Sequence, residues 1–294
     1  MILVAGGTGN LGRRVVGLLR SGGTQVRVLS RDASRASRLG DGVDVVAGDV
    51  RDRGSLPPAM EGVTTVVSAV HGFAGPGAVT PDSVDRLGNA NLIAAATAAG
   101  VEHFILVSIA GARADSPMEL FRAKHDAETG LRRSPLAWTI IRPTAYTETW
   151  AMVMGDMLRR SGRLVVFGRG ENPINFVSVA DVAYLIRHAA CDPTLRGRSI
   201  DIGGPDNITF NQFARILLAV TGEAGSIRHV PQRMLSVMLV MMRRVNPDLA
   251  RKLEASLVMD ARDMTFDRGA LQREFPDLPV TGVDTAVRDY FAER

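Results

Sequence analysis

The first 31 residues constrain the fold more than any other part of this chain. A short apolar run at 2–5 precedes a glycine-rich turn at 6–12, after which apolar residues take helical spacing as far as Gly22. A short apolar run bounded by glycine is typical of a strand that is buried on both faces. The run 25–29 predicts a second strand, so the chain opens with a strand, a glycine turn, a helix and a strand.

The glycine turn predicts a dinucleotide-binding site. Gly6 would permit the tight turn, Gly9 would let a pyrophosphate approach the backbone, and Gly12 would let the helix pack close to the strand. The N-terminus of that helix supplies free N–H groups and the positive end of the helix dipole. The predicted cofactor contacts here are Gly6, Thr8, Gly9, Asn10, Leu11 and Gly12. A purely structural turn is the alternative, because glycine spacing alone is a weak signal.

The end of the second strand favours the phosphorylated cofactor, NADP(H). An NAD site usually places Asp or Glu about 20 residues after the glycines, where the carboxylate holds the ribose 2′-hydroxyl. This chain has Ser30 and Arg31 there, followed by Arg35 and Arg38. A guanidinium remains charged and forms bidentate bonds to phosphate, so Arg31 favours a 2′-phosphate. The alternative is a solvated arginine face, and Asp32 beside Arg31 leaves NAD(H) open.

Strand and helix patterns alternate through the middle of the chain. Apolar runs predict strands at 43–47, 63–68, 101–107 and 138–141, and an amphipathic pattern predicts a helix at 83–99. Alternating βαβ units imply an α/β fold with a doubly wound parallel sheet. Ligands on such sheets bind beyond the carboxyl ends of the strands.

Further cofactor contacts are predicted at those strand ends. We expect Asp49 and Val50 to meet the adenine, and Ser68 and Ala69 to pass along the ribose and nicotinamide. Pro143 follows the strand at 138–141, where backbone groups would face the carboxamide of the nicotinamide. For Asp49, capping of a turn is the alternative.

Composition narrows the function classes. At 294 residues and 46% hydrophobic content, the chain can bury a full α/β core and a small extra lobe. The net charge of +4 comes from scattered basic residues, which gives little support to nucleic-acid binding. Cys191 is the only cysteine, so an internal disulfide is excluded and a structural zinc site is disfavoured. The apolar runs are too short for a membrane span, and Met1 leads directly into a strand, so we expect a cytoplasmic protein with no metal site.

Several motifs together resemble the atypical, NmrA-like branch of the short-chain dehydrogenase/reductases. They are the glycine turn with Arg31, Gly48-Asp49, the run 91–96 before Gly100-Val101, Val107-Ser108, the run 139–143, the run 177–183 and the run 202–205. The resemblance is strong to about residue 205 and weak beyond it. It implies a Rossmann-type NADP-binding domain with a smaller C-terminal lobe over the substrate. Members of the family include reductases of carbonyls, quinones or conjugated double bonds, and proteins that only bind the cofactor and regulate.

The resemblance also implies a division of the chain. We predict an NADP-binding domain at 1–147, to which 176–205 returns, and a mainly helical substrate or lid lobe at 148–175 and 206–294. The methionine-rich segment 234–242 lies in that lobe, and core packing or a dimer contact is the common explanation of such a stripe. A lid over a hydrophobic substrate and an interfacial membrane helix are the alternatives for this segment.

The catalytic residues depart from the family pattern. The family pairs a Ser or Thr at the end of the fifth strand with a Tyr and, four residues later, a Lys; this chain has Ser108, Leu120 and Lys124 at those places. Leucine cannot donate a proton, so the usual acid is missing. Lys124 is one of two lysines against 33 arginines, and the resemblance assigns it to the nicotinamide ribose hydroxyls. The alternative is a surface ion pair with Glu128, four residues later.

Other residues are candidates for the acid–base work. We expect Ser108 to bond the developing oxyanion, although a serine at a strand end is often only a turn residue. The proton would come from Tyr146, from His71 or from an ordered water. Tyr146 has the alternative of a pocket wall, and His71 that of a structural or solvated histidine.

The function that we expect is an NADPH-dependent oxidoreductase. It would transfer hydride to a hydrophobic small molecule, namely a ketone, a quinone or a conjugated enone. A non-catalytic NADP(H)-sensing regulatory protein is the first alternative, favoured by Leu120. An isomerase or epimerase that uses the bound nucleotide transiently is the second. The expected partners are an apolar substrate and an optional second copy in a homodimer, with neither nucleic acid nor stable membrane insertion.

Overall fold

The computed structural model describes residues 1–32, 34, 39–40, 42–73, 75 and 77–293. The strands are β1 (Ile2–Ala5), β2 (Val26–Ser30), β3 (Asp44–Ala47), β4 (Thr65–Ser68), β5 (His103–Val107), β6 (Ala137–Pro143), β7 (Ala145–Tyr146), β8 (Arg163–Phe167), β9 (Ile174–Val177), β10 (Arg198–Ile202), β11 (Asn207–Ile208) and β12 (Ser226–Val230). The α-helices are α1 (Asn10–Ser21), α2 (Leu87–Ala98), α3 (Glu119–Arg132), α4 (Thr147–Ser161), α5 (Val179–Cys191), α6 (Phe210–Thr221), α7 (Gln232–Val245), α8 (Pro247–Ala261), α9 (Gly269–Glu274) and α10 (Val283–Ala292). A π-helical turn, Pro81–Arg86, leads directly into α2.

The chain divides into two compact units. The first comprises residues 1–142 and 182–201, and the second comprises 143–181 and 202–294. The first unit contains a seven-stranded sheet in the order β10-β6-β5-β4-β1-β2-β3. Its strands β1 to β6 pair in parallel, which confirms the predicted α/β class with a Rossmann-type doubly wound sheet.

The central strands of this sheet are buried because helices cover both of its faces. Every residue of β1, β4 and β5 is buried, as their continuous apolar runs predict. The chain runs from β1 to β2 and β3 on one side and then crosses to β4 on the other side of β1. Such a reversal opens a crevice at the carboxyl ends of the strands. The glycine turn follows β1 at this position.

The second unit has its own small sheets and core. A three-stranded sheet runs in the order β11-β9-β7, and β12 pairs in parallel with β8. Residues 143–147, 176–181 and 202–205, which the sequence assigns to the nucleotide domain, belong to this unit. The reason is strand pairing, because β7 pairs with β9 rather than with the large sheet. The roles of the two units as cofactor domain and substrate lobe remain predictions.

The methionine-rich segment forms most of α7, and it is not a core element. Leu235 is the one buried residue of this helix, whereas Met234, Val237 and Met241 are each at least half exposed. Core packing is therefore the wrong interpretation, because α7 packs chiefly along one side against α8. No helix among the described residues combines the length and apolar content needed to cross a bilayer.

A buried histidine in the large sheet gives the fold a dependence on pH. The Thr139 hydroxyl donates to the Leu195 carbonyl, so it accepts a hydrogen bond from the Nε2–H of His103 at 2.9 Å. Burial, with Arg196 nearby, lowers the pKa of His103 to about 4. The stabilisation by neutral His103 is present above its unfolded pKa and is lost as the pH falls towards the folded value. We expect the free energy of unfolding to fall by about 2 kcal/mol from this residue between about pH 7 and about pH 5.

Urea unfolding at the two pH values measures this effect. In His103→Gln the side chain keeps an N–H donor for Thr139 but does not titrate, so the pH-dependent loss should shrink by that amount. His188→Gln is the matched control, because His188 is a partly exposed histidine of the same unit. An equal pH-dependent loss in wild type and His103→Gln would contradict the assignment.

Candidate nucleotide and proton-transfer site

The glycine turn has the geometry that a dinucleotide requires. Gly6 has a positive φ of 85°, and a Cβ there would lie 2.6 Å from the carbonyl oxygen of Ala69. A Cβ at Gly12 would overlap the carbonyl oxygen of Gly6, so only glycine permits this close approach of helix to turn. The turn is closed by a hydrogen bond from Gly9 N to Gly6 O at 3.0 Å.

The start of α1 fits a phosphate group. The helix begins at Asn10 after Gly9, and no side chain caps its N-terminus. The first N–H groups of an α-helix have no acceptor within the helix, and no side chain supplies an acceptor at the start of α1. A pyrophosphate would accept these bonds and lie at the positive end of the helix dipole, so the residues present fit the predicted dinucleotide.

Replacing Gly12 by alanine should damage this site. The new Cβ would push the turn away from the helix, and we expect a loss of about 1–3 kcal/mol in unfolding free energy. Isothermal calorimetry should show at least about a tenfold rise in the Kd for NADPH, because the helix N–H groups move away from the phosphates. Gly17→Ala is the matched control: it lies in the same helix, and a Cβ there meets nothing within 4 Å. Equal NADPH affinity in both variants would contradict the assignment.

The residues after β2 lie where the adenosine ribose is expected. Arg31 is exposed directly after this strand. Asp32, which left NAD(H) open, accepts hydrogen bonds from the backbone N–H and the hydroxyl of Ser34, at 2.9 and 2.6 Å through Oδ1. Its carboxylate therefore takes part in a local turn. Arg35 and Arg38 lie outside the described residues.

The predicted adenine contacts have local structural partners. The Asp49 carboxylate receives the Arg51 guanidinium, with the Nη2–Oδ2 distance at 2.6 Å. This hydrogen bond from Arg51 outweighs burial and lowers the pKa of Asp49. Val50 is buried, and its carbonyl accepts from Asn91 Nδ2 at 2.9 Å. Both residues follow β3 as predicted, but contact with adenine remains a prediction.

A buried polar cluster lies beyond the carboxyl ends of β4 and β5. Its members, called the Asp85 cluster below, are Ser68, His71, Asp85, Asn89 and Lys124. The Ser68 hydroxyl donates to Asn89 Oδ1 at 2.6 Å, and Asn89 Nδ2 donates to the carbonyl of Asp85 at 2.6 Å. Asp85 lies in the π-helical turn before α2, and such turns occur frequently at functional sites.

The carboxylate of Asp85 is the centre of this cluster. It is fully buried, and it accepts a hydrogen bond from the backbone N–H of Gly72 at 2.8 Å. Lys124 Nζ lies 2.9 Å from Oδ1, and His71 Nδ1 lies 3.7 Å from the same oxygen. Burial acts to raise the pKa of Asp85, but Lys124 and His71 together lower it to about 2. Asp85 is therefore a buried carboxylate anion.

Lys124 is buried in this cluster. Its ammonium donates to the carbonyls of Val107, at 2.8 Å, and Val70, at 3.2 Å, in addition to the ion pair with Asp85. The alternative of a surface pair with Glu128 is therefore wrong. Two N–H donors of the ammonium are therefore used by carbonyls, whereas Asp85 Oδ1 has no hydrogen-bond partner among the described residues. The predicted ribose contact remains a prediction.

His71 differs from the other members because it reaches solvent. Its side chain is 51% exposed, whereas the Asp85 side chain beside it is 0% exposed. A buried carboxylate next to an accessible imidazole is the arrangement that orients a histidine for proton transfer. At 3.7 Å the contact is within ion-pair range and is longer than a hydrogen bond.

Ser108 belongs to a separate buried cluster in the same unit. Its hydroxyl donates to Glu128 Oε1 at 2.6 Å, and Arg142 Nε donates to the same oxygen at 2.8 Å. Burial acts to raise the pKa of Glu128, but the bonds from Arg142 and Ser108 lower it. The single hydroxyl proton of Ser108 is thus already used. Its predicted contact with an oxyanion would require that bond to break.

Tyr146 and Pro143 lie in the second unit. The Tyr146 hydroxyl is buried and has no hydrogen-bond partner among the described residues. Burial raises the pKa of this phenol, and the nearby carboxylate of Glu148 raises it further. Tyr146 is therefore a weaker acid than an ordinary tyrosine, which argues against the predicted proton donor. Pro143 ends β6 and is buried, and its contact with the nicotinamide remains a prediction.

Asp85, Asn89 and Glu128 are not among the residues predicted from the sequence. Asp85 and Asn89 are four residues apart and lie on the helix face that continues to the buried Leu92 and Ala96. Two polar residues on an otherwise apolar face indicate a buried polar cluster. This signal is present in the sequence, but it does not identify the partner of either residue.

Comparison with known proteins places these features in a family. A family model described as NAD(P)H-binding matches residues 6–193. The chain is 31% identical over 223 residues to an NAD(P)H azoreductase from Xenophilus azovorans. The aligned region covers 76% of this chain and 74% of the relative. It is 33% identical over 226 residues to a (4-alkanoyl-5-oxo-2,5-dihydrofuran-3-yl)methyl phosphate reductase from Streptomyces griseus, again over 76% and 74% of the two chains.

A solved structure shows the same fold. The NADPH complex of a quinone oxidoreductase from Escherichia coli matches 99% of this chain and 100% of its own, with a TM-score of 0.78 and 22% identity. At this identity the likeness shows the fold alone. The family match confirms the predicted nicotinamide cofactor, NAD(P)H. The chain therefore belongs to the NAD(P)H-binding family.

Proposed function

We propose that this protein is an NADPH-dependent reductase of conjugated apolar acceptors, with His71 as the proton donor. The coarse class, an NAD(P)H-dependent reductase, follows from the family and from its two reductase relatives. The finer proposal rests on one observation. Asp85, a buried anion, lies between the buried ammonium of Lys124 and the accessible imidazole of His71, beyond the carboxyl ends of the parallel strands.

The roles of these residues follow from their burial. Lys124 neutralises Asp85 and connects it to the ends of β4 and β5, so we assign Lys124 as a positioning residue. Asp85 orients the imidazole of His71. His71 then delivers the proton to the reduced acceptor from the solvent-accessible side. When bound, NADPH supplies the hydride.

The acceptor class follows from the weakness of the remaining acids. The family tyrosine is replaced by the buried Leu120, the Ser108 hydroxyl is bonded to Glu128, and Tyr146 is a weak acid. An isolated ketone needs hydrogen-bond donors at its oxygen as well as a proton source, because its reduction concentrates charge on that one oxygen. A quinone or conjugated enone spreads that charge by resonance and needs fewer such donors.

The names of the relatives agree with conjugated acceptors. One relative is an azoreductase, and the substrate name of the other describes an oxo-dihydrofuran with an alkanoyl group, in which a ring double bond is conjugated to carbonyl groups. Both acceptors are conjugated. We therefore include azo compounds and unsaturated furanones with quinones and enones in the proposed class.

We assign the preference for NADPH over NADH to Arg31. The exposed guanidinium follows β2, where a 2′-phosphate would lie. Arg31→Ala should raise the Kd for NADPH at least about tenfold, because a charge-assisted hydrogen bond is lost, and should leave the Kd for NADH nearly unchanged. Titration of both nucleotides by calorimetry measures this. Arg53→Ala, at another exposed arginine of the same unit, is the control, and equal effects on NADPH and NADH would contradict the role.

Turnover on a panel of acceptors tests the function. Loss of NADPH absorbance should be fast with quinones, enones, unsaturated furanones or azo compounds and slow with isolated ketones. Deuterium from NADPH labelled at the transferable position should appear in the enone product. Gly12→Ala should lose this activity in proportion to its NADPH affinity, and Gly17→Ala should keep it. Turnover that is faster with isolated ketones would contradict the proposed acceptor class.

A non-catalytic NADP(H) sensor is the second candidate, favoured by Leu120 and by the buried ammonium of Lys124, which is bonded to two carbonyls. It predicts tight nucleotide binding without oxidation of NADPH by any acceptor. It also predicts unequal affinities for NADP⁺ and NADPH, since a sensor needs differential binding. Calorimetry with the two nucleotides, beside the turnover panel, distinguishes the candidates.

A further inference from the structure

One helix of the second unit has an exposed apolar face. Its members, called the α7 face below, are Met234 (50% exposed), Val237 (61%), Val240 (72%), Met241 (60%) and Val245 (77%). Only two other large hydrophobic residues of the described chain are as exposed, Leu87 and Val280. The spacing from Met234 through Val237 and Met241 to Val245 is three, four and four residues, which places these side chains in one stripe.

The helix that presents this stripe is anchored on its other side. Leu235 is fully buried, and Gln232 donates through its side-chain amide to the buried carboxylate of Asp260 on α8. Asn246, directly after α7, accepts from the backbone N–H of Leu249 at 3.0 Å and caps α8. The exposed stripe therefore belongs to a helix that is held in a defined orientation within its unit.

The same stretch of chain is positively charged. Residues 224–247 contain four arginines and no Asp or Glu, namely Arg228, Arg233, Arg243 and Arg244. The whole chain has 35 basic and 31 acidic residues, so the rest of it has 31 of each and is formally neutral. This stretch is therefore a local run of positive charge with no acidic residue in it.

Two arginines border the stripe formed by Met234, Val237, Met241 and Val245, and Val240 lies on the other side of them. Arg233 and Arg244 are exposed and are separated by about three helical turns, so they lie on the same flank of the stripe. Arg243 lies further round the helix and pairs with Glu254 of α8 at 3.2 Å. An apolar stripe with a cationic flank is the pattern of a helix that lies in a membrane interface, with the apolar side chains among the acyl chains and the arginines at anionic headgroups.

We propose that the α7 face binds the surface of an anionic lipid bilayer. Charge selects this occupant over a second copy of the chain. In an antiparallel pair of α7 helices the equivalent flanks face each other, which would bring Arg233 and Arg244 of one copy next to those of the other. Anionic headgroups instead supply the negative charge that this stretch lacks. The helix lies in the interface plane and does not cross the bilayer.

Cosedimentation with vesicles tests this proposal without nucleotide or acceptor, so its result is independent of the reductase proposal. The full-length protein is mixed with vesicles of phosphatidylcholine alone, or with about one third phosphatidylglycerol. We expect binding to the anionic vesicles, weak binding to the neutral ones, and weakening by salt because headgroup attraction is screened. No binding to anionic vesicles at low salt would overturn the proposal.

Matched variants separate the apolar and the charged contributions. Val237→Ser combined with Met241→Ser should lower the vesicle partition coefficient at least about tenfold, because two exposed apolar side chains are lost from the interface. Val280→Ser is the control, since Val280 is 51% exposed in the same unit but outside α7. Arg244→Glu should lower partitioning to anionic vesicles at least about tenfold. Arg160→Glu is its control, because Arg160 is also an exposed arginine in the last turn of a helix.

Two other results would assign the α7 face differently. A dimer in analytical ultracentrifugation that the double serine variant dissociates, without vesicle binding by the wild type, would make the face an interface between copies. A raised KM for apolar acceptors in that variant, with unchanged vesicle partitioning, would make it a substrate lid. Either result would overturn the proposal.

Discussion

Replacing Asp85 by asparagine is expected to lower the free energy of unfolding by about 3–5 kcal/mol, because the buried ammonium of Lys124 then loses its counter-charge. Both side chains are almost completely removed from solvent, so water cannot compensate. The low pKa of Asp85 adds a pH dependence. Stability from this carboxylate is present above its unfolded pKa and is lost as the pH falls towards about 2. Urea unfolding near neutral pH and in acid measures both effects.

Two further variants make this result specific. Asp82 lies in the same π-helical turn, but its side chain is 42% exposed. Asp82→Asn should therefore change the free energy of unfolding by less than about 1 kcal/mol. Adding Lys124→Met to Asp85→Asn removes the unpaired charge and should recover part of the loss. If Asp85→Asn were as stable as Asp82→Asn, the buried ion pair would not be the support of this site.

Replacing His71 by asparagine is expected to lower kcat for quinones and enones about a hundredfold, with the Kd for NADPH nearly unchanged. The reason is that this variant loses the accessible proton donor and leaves Asp85 and Lys124 in place. The loss should be smaller in imidazole buffer, because the small molecule can occupy the space of the missing ring and carry the proton. Steady-state kinetics with and without imidazole measures the change.

His188→Asn is the matched control for this prediction. His188 is also partly exposed, and its Nε2 lies 3.6 Å from the carboxylate of Asp192, but it lies outside the Asp85 cluster. It should leave kcat unchanged. Equal activity of wild type and His71→Asn, or no response to imidazole, would contradict the role of His71 and return the proton transfer to ordered water or to another residue.

The opening of the chain shows how far local patterns reach. The apolar run of β1, the glycines of the turn and the helical spacing of α1 are all properties of neighbouring residues, and the structure has each element where the pattern predicts it. The alternation of later strands and helices led in the same way to the doubly wound sheet. The division into units was predicted less accurately, because the placement of β7 depends on its pairing with β9 and not on its own sequence.

The candidate site shows where those patterns end. Lys124 was identified from its position in a family motif, but its neighbours were not, since Val70 lies 54 residues away along the chain. Whether a lysine faces solvent or a buried carboxylate depends on which strand ends the fold brings beside it. The same holds for Ser108, whose hydroxyl is bonded to Glu128, 20 residues later.

The sequence by itself determined the α/β class, the dinucleotide turn and the family, because each is written in residues that are close together in the chain. Only the tertiary structure decided that Asp85 is the counter-ion of Lys124, that His71 is accessible beside it, and that α7 exposes its apolar face. The physical reason is that charge pairing and burial are set by distances in space. Those distances depend on strand order and helix packing, which local periodicity does not encode.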